Sequence, residues 1–563
     1  MKPRLEDPRR GNLLVVVCCF LAIMTAVIAA WLYAAVTDGR LVARKIGHTE
    51  ALYLAEAGAE HAKEWLTAQA KLGSALLRTT DTIPASTVLG AAAVPFGSGS
   101  YTASIDVELG SWSIPFYTIA SIGTADPDGT PESGDELRRK ILVTMLLGSF
   151  ARYAYFTNNE PSNIWFVTTD ALLGLVHTNG SLHIAGRPDF WGKVTSVGDT
   201  FTFYNNGSSR TSTLPNNGTR DVPHFRDGYE LGADSVTYPT DMSEIEAASS
   251  GALGLVIDSD TEITLGVEGG DRGTLTYTQQ EEQQVWHPPQ TVTETWRGWR
   301  YGIYHATRYS ETVTIPGYYT TENVTVTNRV DVFDANASPS GKAVVYVNGD
   351  AEISGTLAGQ LTILTQGDLI VTDDVLYRVD PVDYDGDGLL SDPNGNGVND
   401  EGVDRNGDGR YTLPGEQPDD TDDDGDGGSD STGYDQPEST DTLGLVAKGD
   451  VIVADDGGGP IDRKICATVM ALGAPDSTGS STGSFRVEDY TSHLEGTLTI
   501  VGGLIQRQRG AVGTFSGDIA GQPTKTSGYS KNYIYDTRVV YFPPPYFPPT
   551  NMFDLIYWQE VAP

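Results

Sequence analysis

From Leu13 to Val36 the chain runs for 24 residues without a charged side chain. About twenty apolar residues suffice to cross a bilayer as a helix. The helical pattern does not end with this run. It continues through ALYLAEAGAEHAKEWL at 51–66, where Leu52, Ala55, Ala59, Ala62 and Leu66 recur at steps of three and four. Glu56, Glu60, Lys63 and Glu64 fall off that stripe. An apolar helix that carries on as an amphipathic stalk is the strongest constraint in the sequence, because whatever follows must be built on the far end of a rod. The pattern predicts a basic leader over 1–12, a transmembrane helix over 13–36 and a helical stalk over 37–78. At 1.5 Å per residue an unbroken helix over 13–78 reaches about 100 Å. The apolar run exceeds the 7–15 residues of a secretory signal core, and no small-x-small cleavage site follows it.

Charge and cysteine usage narrow the rest. The 563 residues carry a net charge of −38. Phosphate binding needs clustered Lys and Arg, so nucleic acid is excluded as a partner. The length suits roughly two to four domains. Of three cysteines, Cys18 and Cys19 lie in the apolar run and only Cys466 lies beyond it. The chain therefore has neither an intramolecular disulfide framework nor a cysteine zinc site. Lys2, Arg4, Arg9 and Arg10 precede the apolar run and favour a cytoplasmic N-terminus. Arg40, Arg44 and Lys45 oppose this from the other side. The large acidic, β-rich remainder favours a single-pass orientation in the inner membrane, with the body expected to be extracytoplasmic or at the cell surface.

Beyond the stalk the pattern turns to β. YTASIDVEL, FYTIASIG and RKILVTMLL within 100–150 predict a small antiparallel sheet. From 151 to 563 the chain holds a diverged repeat: VHTNGSLHIAG from Val176, VYVNGDAEISG from Val345, ILTQGDLIVTD from Ile363 and LVAKGDVIVAD from Leu445. Repetition of one strand–corner–strand unit is the mark of stacked architectures. Two copies start 18 residues apart, close to one turn of a β-solenoid. The expected fold is mainly β, with a right-handed parallel β-helix as the body. In it Gly turns the corners and alternating Leu, Ile and Val fill the interior. Two insertions interrupt this body. The Thr-, Tyr- and Trp-rich stretch 270–335 predicts a long hairpin or small sheet. The C-terminal YFPPPYFPPTNMFDLIYWQE carries prolines that a central strand rejects, and predicts an extended tail along the body.

The second insertion, 380–435, includes VDYDGDGLLSDPNGNGVNDEGVDRNGDGR. Calcium loops place oxygen ligands at alternate positions 1, 3 and 5, with Gly at 6. Asp383, Asp385 and Asp387 with Gly388 fit this template. So do Asp404, Asn406 and Asp408 with Gly409, and Asp422, Asp424 and Asp426 with Gly427. Asp392, Asn394 and Asn396 with Gly397 fit with fewer charges. The bidentate Glu of an EF-hand is missing, since Asn394 and Gly415 stand at position 12 of the first and third loops. The pattern resembles the Asp/Gly repeats of thrombospondin type 3 modules. Calcium is the expected cofactor. The competing reading is a disordered acidic linker.

Catalytic constellations are sparse. His177 lies seven residues after Asp170, and His183 follows. An Asp–His pair suits acid–base work, but the repeat places His177 where Tyr346, Leu364 and Val446 stand, so it reads as structural. Cys466, in KICATVMALG, reads as a buried core thiol. The chain is not expected to be an enzyme. The alternative is a membrane-anchored, calcium-dependent lyase or glycosidase acting on surface glycans, an analogy at the level of the fold alone.

RRGNLLVVV at 9–17, the apolar helix behind it and ALYLAEAGAEHA at 51–62 resemble the PilX-type N-terminal region of bacterial type IV pilus assembly proteins and minor pilins. The resemblance implies a leader processed between Gly11 and Asn12, and as partners the lipid bilayer, other pilins and the pilus assembly machinery. Major pilins carry a Glu five residues after the processing site, where this chain has Val16. An accessory, tip or initiation component serving assembly, adhesion or surface structure, or an uncleaved anchored protein, fits better than an ordinary filament subunit. DALLGLVHTNGSLHIAGRPDFWGKV, LGLVAKGDVIVAD and GYSKNYIYDTRVVYFPPPYFPP are similar to an uncharacterised domain family found behind such anchors, which lends no activity.

Overall fold

The computed structural model describes residues 9–71, 82–109, 115–126, 136–205, 208–216, 220–269, 272–300, 302–334, 340–379, 440–455, 457, 459–473, 482–516, 524–540 and 543–563. The chain divides into two units, 1–148 with 551–563, and 149–550. It is mainly β, with one long helix at its start.

In the first unit a single helix runs Arg9–Lys71, about 95 Å at 1.5 Å per residue. Gly39, Gly47 and Gly58 do not interrupt it. The part of the expected stalk that lies over 72–78 falls outside the described residues. Strands Gly99–Leu109, Pro115–Ala125 and Leu137–Ser149 form an antiparallel meander, as their alternation predicts. Val94–Phe96 flanks it on one side and Pro549–Val561 on the other. This last strand corrects the expectation of a C-terminal tail. Only the proline-rich stretch behaves as an extended tail: the Thr362 hydroxyl donates to the Pro545 carbonyl at 2.6 Å, and Phe547 is buried. Once the prolines end, the backbone N–H groups return and the chain can form an edge strand.

The second unit is organised by parallel ladders. In one of them ten strands pair in parallel in the order Tyr229–Leu231, Val194–Ser196, Val176–Thr178, Tyr155–Asn159, Leu494–Gln508, Arg463–Ala471, Thr442–Ala447, Gln360–Thr365, Val344–Val347 and Gly254–Ile257. The spatial order is not the chain order. The earliest strands of the unit stack beyond the latest ones, so Tyr155 sits beside Leu504. Residues 232–253 must therefore travel from one end of the ladder to the other. Nine steps of about 4.8 Å make about 43 Å, well within reach of this segment. Its contacts fall in spatial sequence: Ala233 on Ser196, Val236 on Asn179, the Tyr238 ring over Phe156 with its hydroxyl on the Ala471 carbonyl, Glu246 on Lys448, and Leu253 on Ala343. Leu364, Val446, Met470 and Ile505 lie outside the main core cluster and are nonetheless fully buried.

The four repeat copies coincide with the ladder register. Val345 pairs with Ile363, and Ile363 with Leu445. Leu445 reaches Val176 through Val469, Leu504 and Tyr155. Two more copies, VTSVGDTFTF from Val194 and LVIDSDTEITL from Leu255, occupy the same register. Val345, Ile363, Leu445 and Val451 fill one continuous core with Ile353 and Val371.

The corner glycines have a different role from the expected one. Gly349, Gly367 and Gly449 are not among the glycines with positive φ. Each sits where a Cβ would lie 2.4, 1.9 or 2.1 Å from the Oδ1 of Asp260, Asp350 or Asp368 one rung away. That Oδ1 accepts the backbone N–H of the next Asp: Asp350 at 2.9 Å, Asp368 at 2.7 Å and Asp450 at 2.7 Å. The Gly-Asp pair thus forms a self-propagating ladder in which each carboxylate needs the room that the next glycine leaves. Burial, with the charges of Asp450 and Asp350, raises the Asp368 carboxyl above the usual range.

Residues 272–331 form a long antiparallel pair, Arg272–His287 with Tyr318–Asp331, and a second pair, Gln290–Arg300 with Ile303–Ile315. The 380–435 insertion lies outside the described residues, but its two ends are fixed close together. Arg378 lies 3.5 Å from Asp441, Asp441 accepts the Gly359 N–H, and the Leu443 N–H donates to the Tyr377 hydroxyl.

Gly449→Ala is expected to destabilise the second unit by about 1–3 kcal/mol, because Asp368 must abandon its hydrogen bond to admit the methyl. Urea denaturation of the variant beside wild type measures this, and an unchanged midpoint would refute the carboxylate–glycine account.

Candidate functional site: the anchor helix, its sheet and a buried charge cluster

The helix has two halves of different character. From Leu13 to Ile46 its apolar residues are exposed, and the most apolar stretch has no buried residue. Among the described residues it is the one helix long and apolar enough to cross a membrane. The second half buries Ala51, Leu54, Ala55, Ala59, Ala62 and Leu66. The stripe expected from the sequence holds, except that Ala51 and Leu54 replace Leu52 as its fully buried start.

Small residues make this seating possible. The strand Pro115–Ala125 presents Tyr117, Ile119, Ser121, Gly123 and Ala125 on its buried face. A Cβ on Gly123 would stand 2.0 Å from the Ala51 carbonyl oxygen and 2.5 Å from the Ala55 nitrogen. A Cβ on Gly58 would stand 2.4 Å from the Ser121 hydroxyl. Helix backbone and strand backbone touch, so the A-x-x-G-A spacing of ALYLAEAGAEHA reflects a steric demand. Tyr101 and His61 fasten the rim through Nδ1 and the phenol, 3.1 Å apart. Phe553 meets Tyr117 edge-on at 5.3 Å. Gly11, Asn12 and Val16 fall in the first turns of the helix.

The sequence-level Asp–His suspicion resolves into separate partners. His177 is buried, with Nδ1 2.7 Å from the Thr195 hydroxyl and Nε2 3.0 Å from Asn179 Oδ1, and burial lowers its pKa. His183 has Nδ1 3.0 Å from the Pro161 carbonyl oxygen. Asp170 instead meets Lys531 at 2.7 Å. Cys466 is buried in the core.

Asp170 and Lys531 belong to a cluster that sequence reading missed. Glu160 and Arg509 pair at 3.2 Å, with both side chains buried. The Arg509 guanidinium lies 3.6 Å over the Phe166 ring. Gln506 donates to the Tyr155 hydroxyl and accepts the N–H groups of Phe485 and Gly510. Burial raises the Glu160 carboxyl and lowers the Lys531 ammonium, the latter helped by Arg509. Partners more than 340 residues apart left no local signal. The one clue was parity, because Lys531 shares a strand face with the buried Tyr533.

Elsewhere Asp455, Glu488, Asp489, Glu495 and His493 surround Tyr490, with His493 Nε2 3.6 Å from Asp455. The space they enclose is about 10 Å³, room for about one water. Among the described residues no group of three or more His, Cys, Asp or Glu is arranged to hold a metal ion. All twelve residues assigned to calcium, Asp383 to Asp426, lie outside the described residues.

A family described as a domain of unknown function (DUF4900) matches residues 117–198. No curated protein matches the chain. Among solved structures, the competence-associated pilin ComZ from Thermus thermophilus aligns at 13% identity and a TM-score of 0.26, covering 91% of this chain and 97% of that one. A likeness at that score does not define a shared fold.

Gly123→Val is expected to lift the helix from its sheet and cost at least about 1–3 kcal/mol. Gly39→Val, where a Cβ meets nothing within 4 Å, is the control. Limited proteolysis of both variants in detergent checks this: faster cutting over 51–66 is expected in the first alone, and equal cutting in both would refute the seating.

Proposed function

We propose that this chain is a pilin-like, single-pass membrane protein of the bacterial envelope. The observation that carries the reading is one continuous helix, bare and apolar in its first half and seated on an antiparallel sheet in its second. A helix of this kind places its first half in lipid or among like helices and holds the folded part outside the membrane. The PilX-type sequence pattern at 9–17 and 51–62 supports an accessory place in a type IV pilus system. The parallel ladders and their shared repeat register support a right-handed parallel β-helix as the displayed body, serving assembly, adhesion or surface structure. The reading is non-enzymatic. The inner membrane, a cytoplasmic N-terminus and pilin partners belong to the same proposal.

Processing tests it. The N-terminal peptide of the protein recovered from native envelopes is expected to begin at Asn12, with or without methylation. A peptide beginning at Met1 would leave a plain membrane anchor and overturn the pilin reading.

Calcium is proposed as the ligand of 380–435, on the spacing of Asp383, Asp385, Asp387, Asp404, Asn406, Asp408 and their counterparts. Because the ends of this insertion are pinned at Arg378 and Asp441, its order can change while the body stays folded. Chelation is expected to speed proteolysis within 380–435 and leave the remainder resistant. Equal cleavage with and without calcium would remove the assignment.

A further inference from the structure

We propose that Lys531 and Asp170 are the two ends of an intramolecular amide cross-link, formed between Nζ and Cγ with loss of one water. Nothing in the anchoring role requires this bond. The geometry around the two side chains points to it.

Lys531 Nζ lies 2.7 Å from Asp170 Oδ2, and both residues are buried. An amide forms from this pair only when the ammonium gives up protons to the oxygen that leaves as water, so that the neutral amine can add to Cγ. Water normally opposes this by solvating the charged forms, and burial removes that advantage. The amine is a nucleophile and the acid an electrophile, so the protein holds a reactive pair in contact.

The two oxygens of Asp170 differ in the way the reaction needs. Oδ2 also accepts the Val167 N–H at 2.9 Å. Oδ1 is buried and has no hydrogen-bond partner among the described residues. As Nζ adds to Cγ, Oδ2 takes the developing negative charge against the Val167 N–H, in the manner of an oxyanion site. Oδ1, which nothing holds, is the oxygen that leaves. As half of a buried carboxylate an unpartnered oxygen is costly. Its loss as water removes that cost, and the remaining oxygen keeps its donor.

Two protons must move from the nitrogen to Oδ1, one before Nζ adds to Cγ and one after. Glu160 is near enough for its charge to act on Lys531. Its Oε2 is held by Arg509, its Oε1 is buried, and the Thr178 hydroxyl also hydrogen-bonds the carboxylate. Glu160 carries each proton in turn from the nitrogen to Oδ1. The Cγ–Oδ1 bond breaks, water departs, and Glu160 returns to its starting state. The atoms balance as amine plus acid giving amide plus water, with no oxidant or cofactor. Tyr155, Phe166 and Tyr533 wall the cluster and shield the product from hydrolysis. The bond would close a loop between residues 361 apart.

Peptide mapping of the folded full-length chain tests the proposal. The expected result is one branched peptide joining the Asp170 and Lys531 segments, lighter than their sum by one water. Unlinked peptides carrying Asp170 and Lys531 from folded protein would overturn it. So would a water loss that maps to the Asp-Gly sites of 380–435, where succinimides form. Asp170→Asn is expected to reach the same linked mass by shedding ammonia. Glu160→Gln, checked for native circular dichroism, is expected to leave the two segments unlinked, and linking as complete as wild type would remove Glu160 from the step. On denaturing gels the wild type is expected to run ahead of Lys531→Arg, and equal mobility would count against a closed loop.

Discussion

A parallel strand leaves its N–H and C=O groups pointing at neighbours on both sides, and the second unit is shaped by the need to satisfy them. Each rung is only a few residues long and cannot stand alone. It is stable because the rungs before and after it each supply both donors and acceptors. The Asp carboxylates at the corners repeat the rule in side-chain form, since each accepts the N–H of the next Asp. A device that works by passing a hydrogen bond along favours an identical unit at every step. This is why a recognisable motif survives in sequences as different as VYVNGDAEISG and LVAKGDVIVAD.

That motif made much of the second unit legible from sequence. The gapless alignment of four segments proved to be the pairing register itself. The copies at Val194 and Leu255 escaped notice for physical reasons. In the first, Val197 stands where the others have Asn, Gln or Lys, and in the second Ser259 replaces the glycine. The second substitution is tolerated because the constraint is pairwise: a rung needs Gly only when an Asp or Ser oxygen stands behind it, as Ser181 does behind Gly198. The corner glycines were therefore found for the wrong reason, as turn-formers, when they are spacers.

The stalk and its sheet were legible because period-3.6 and period-2 patterns are local. The spatial order of rungs was not. Nothing near residue 155 announces that its strand will pair with residue 504, and nothing in 232–253 marks it as the crossing segment that this order demands. The charge cluster was invisible for the same reason. Each member looks like an ordinary surface charge until the fold brings Glu160 to Arg509 and Asp170 to Lys531. The twelve proposed calcium residues were the opposite case, plain in the sequence and outside the described structure.

The permuted stacking has a consequence for folding. The strand Tyr155–Asn159 is made first by the ribosome, yet one of its two neighbours, Leu494–Gln508, comes about 340 residues later. Pairing across such separations carries a loop-closure cost before any contact repays it, and topologies of this kind fold slowly. The early strands must wait with one edge unpaired, which is a hazard for association with other chains. Asp170 and Glu160 lie on this waiting portion, and Lys531 and Arg509 lie on the portion that completes it. An isolated buried charge is far more costly than a paired one. Half of the cluster therefore cannot settle into the core without the other half. The charges penalise any packing in which the early strands close on something other than their own late partners.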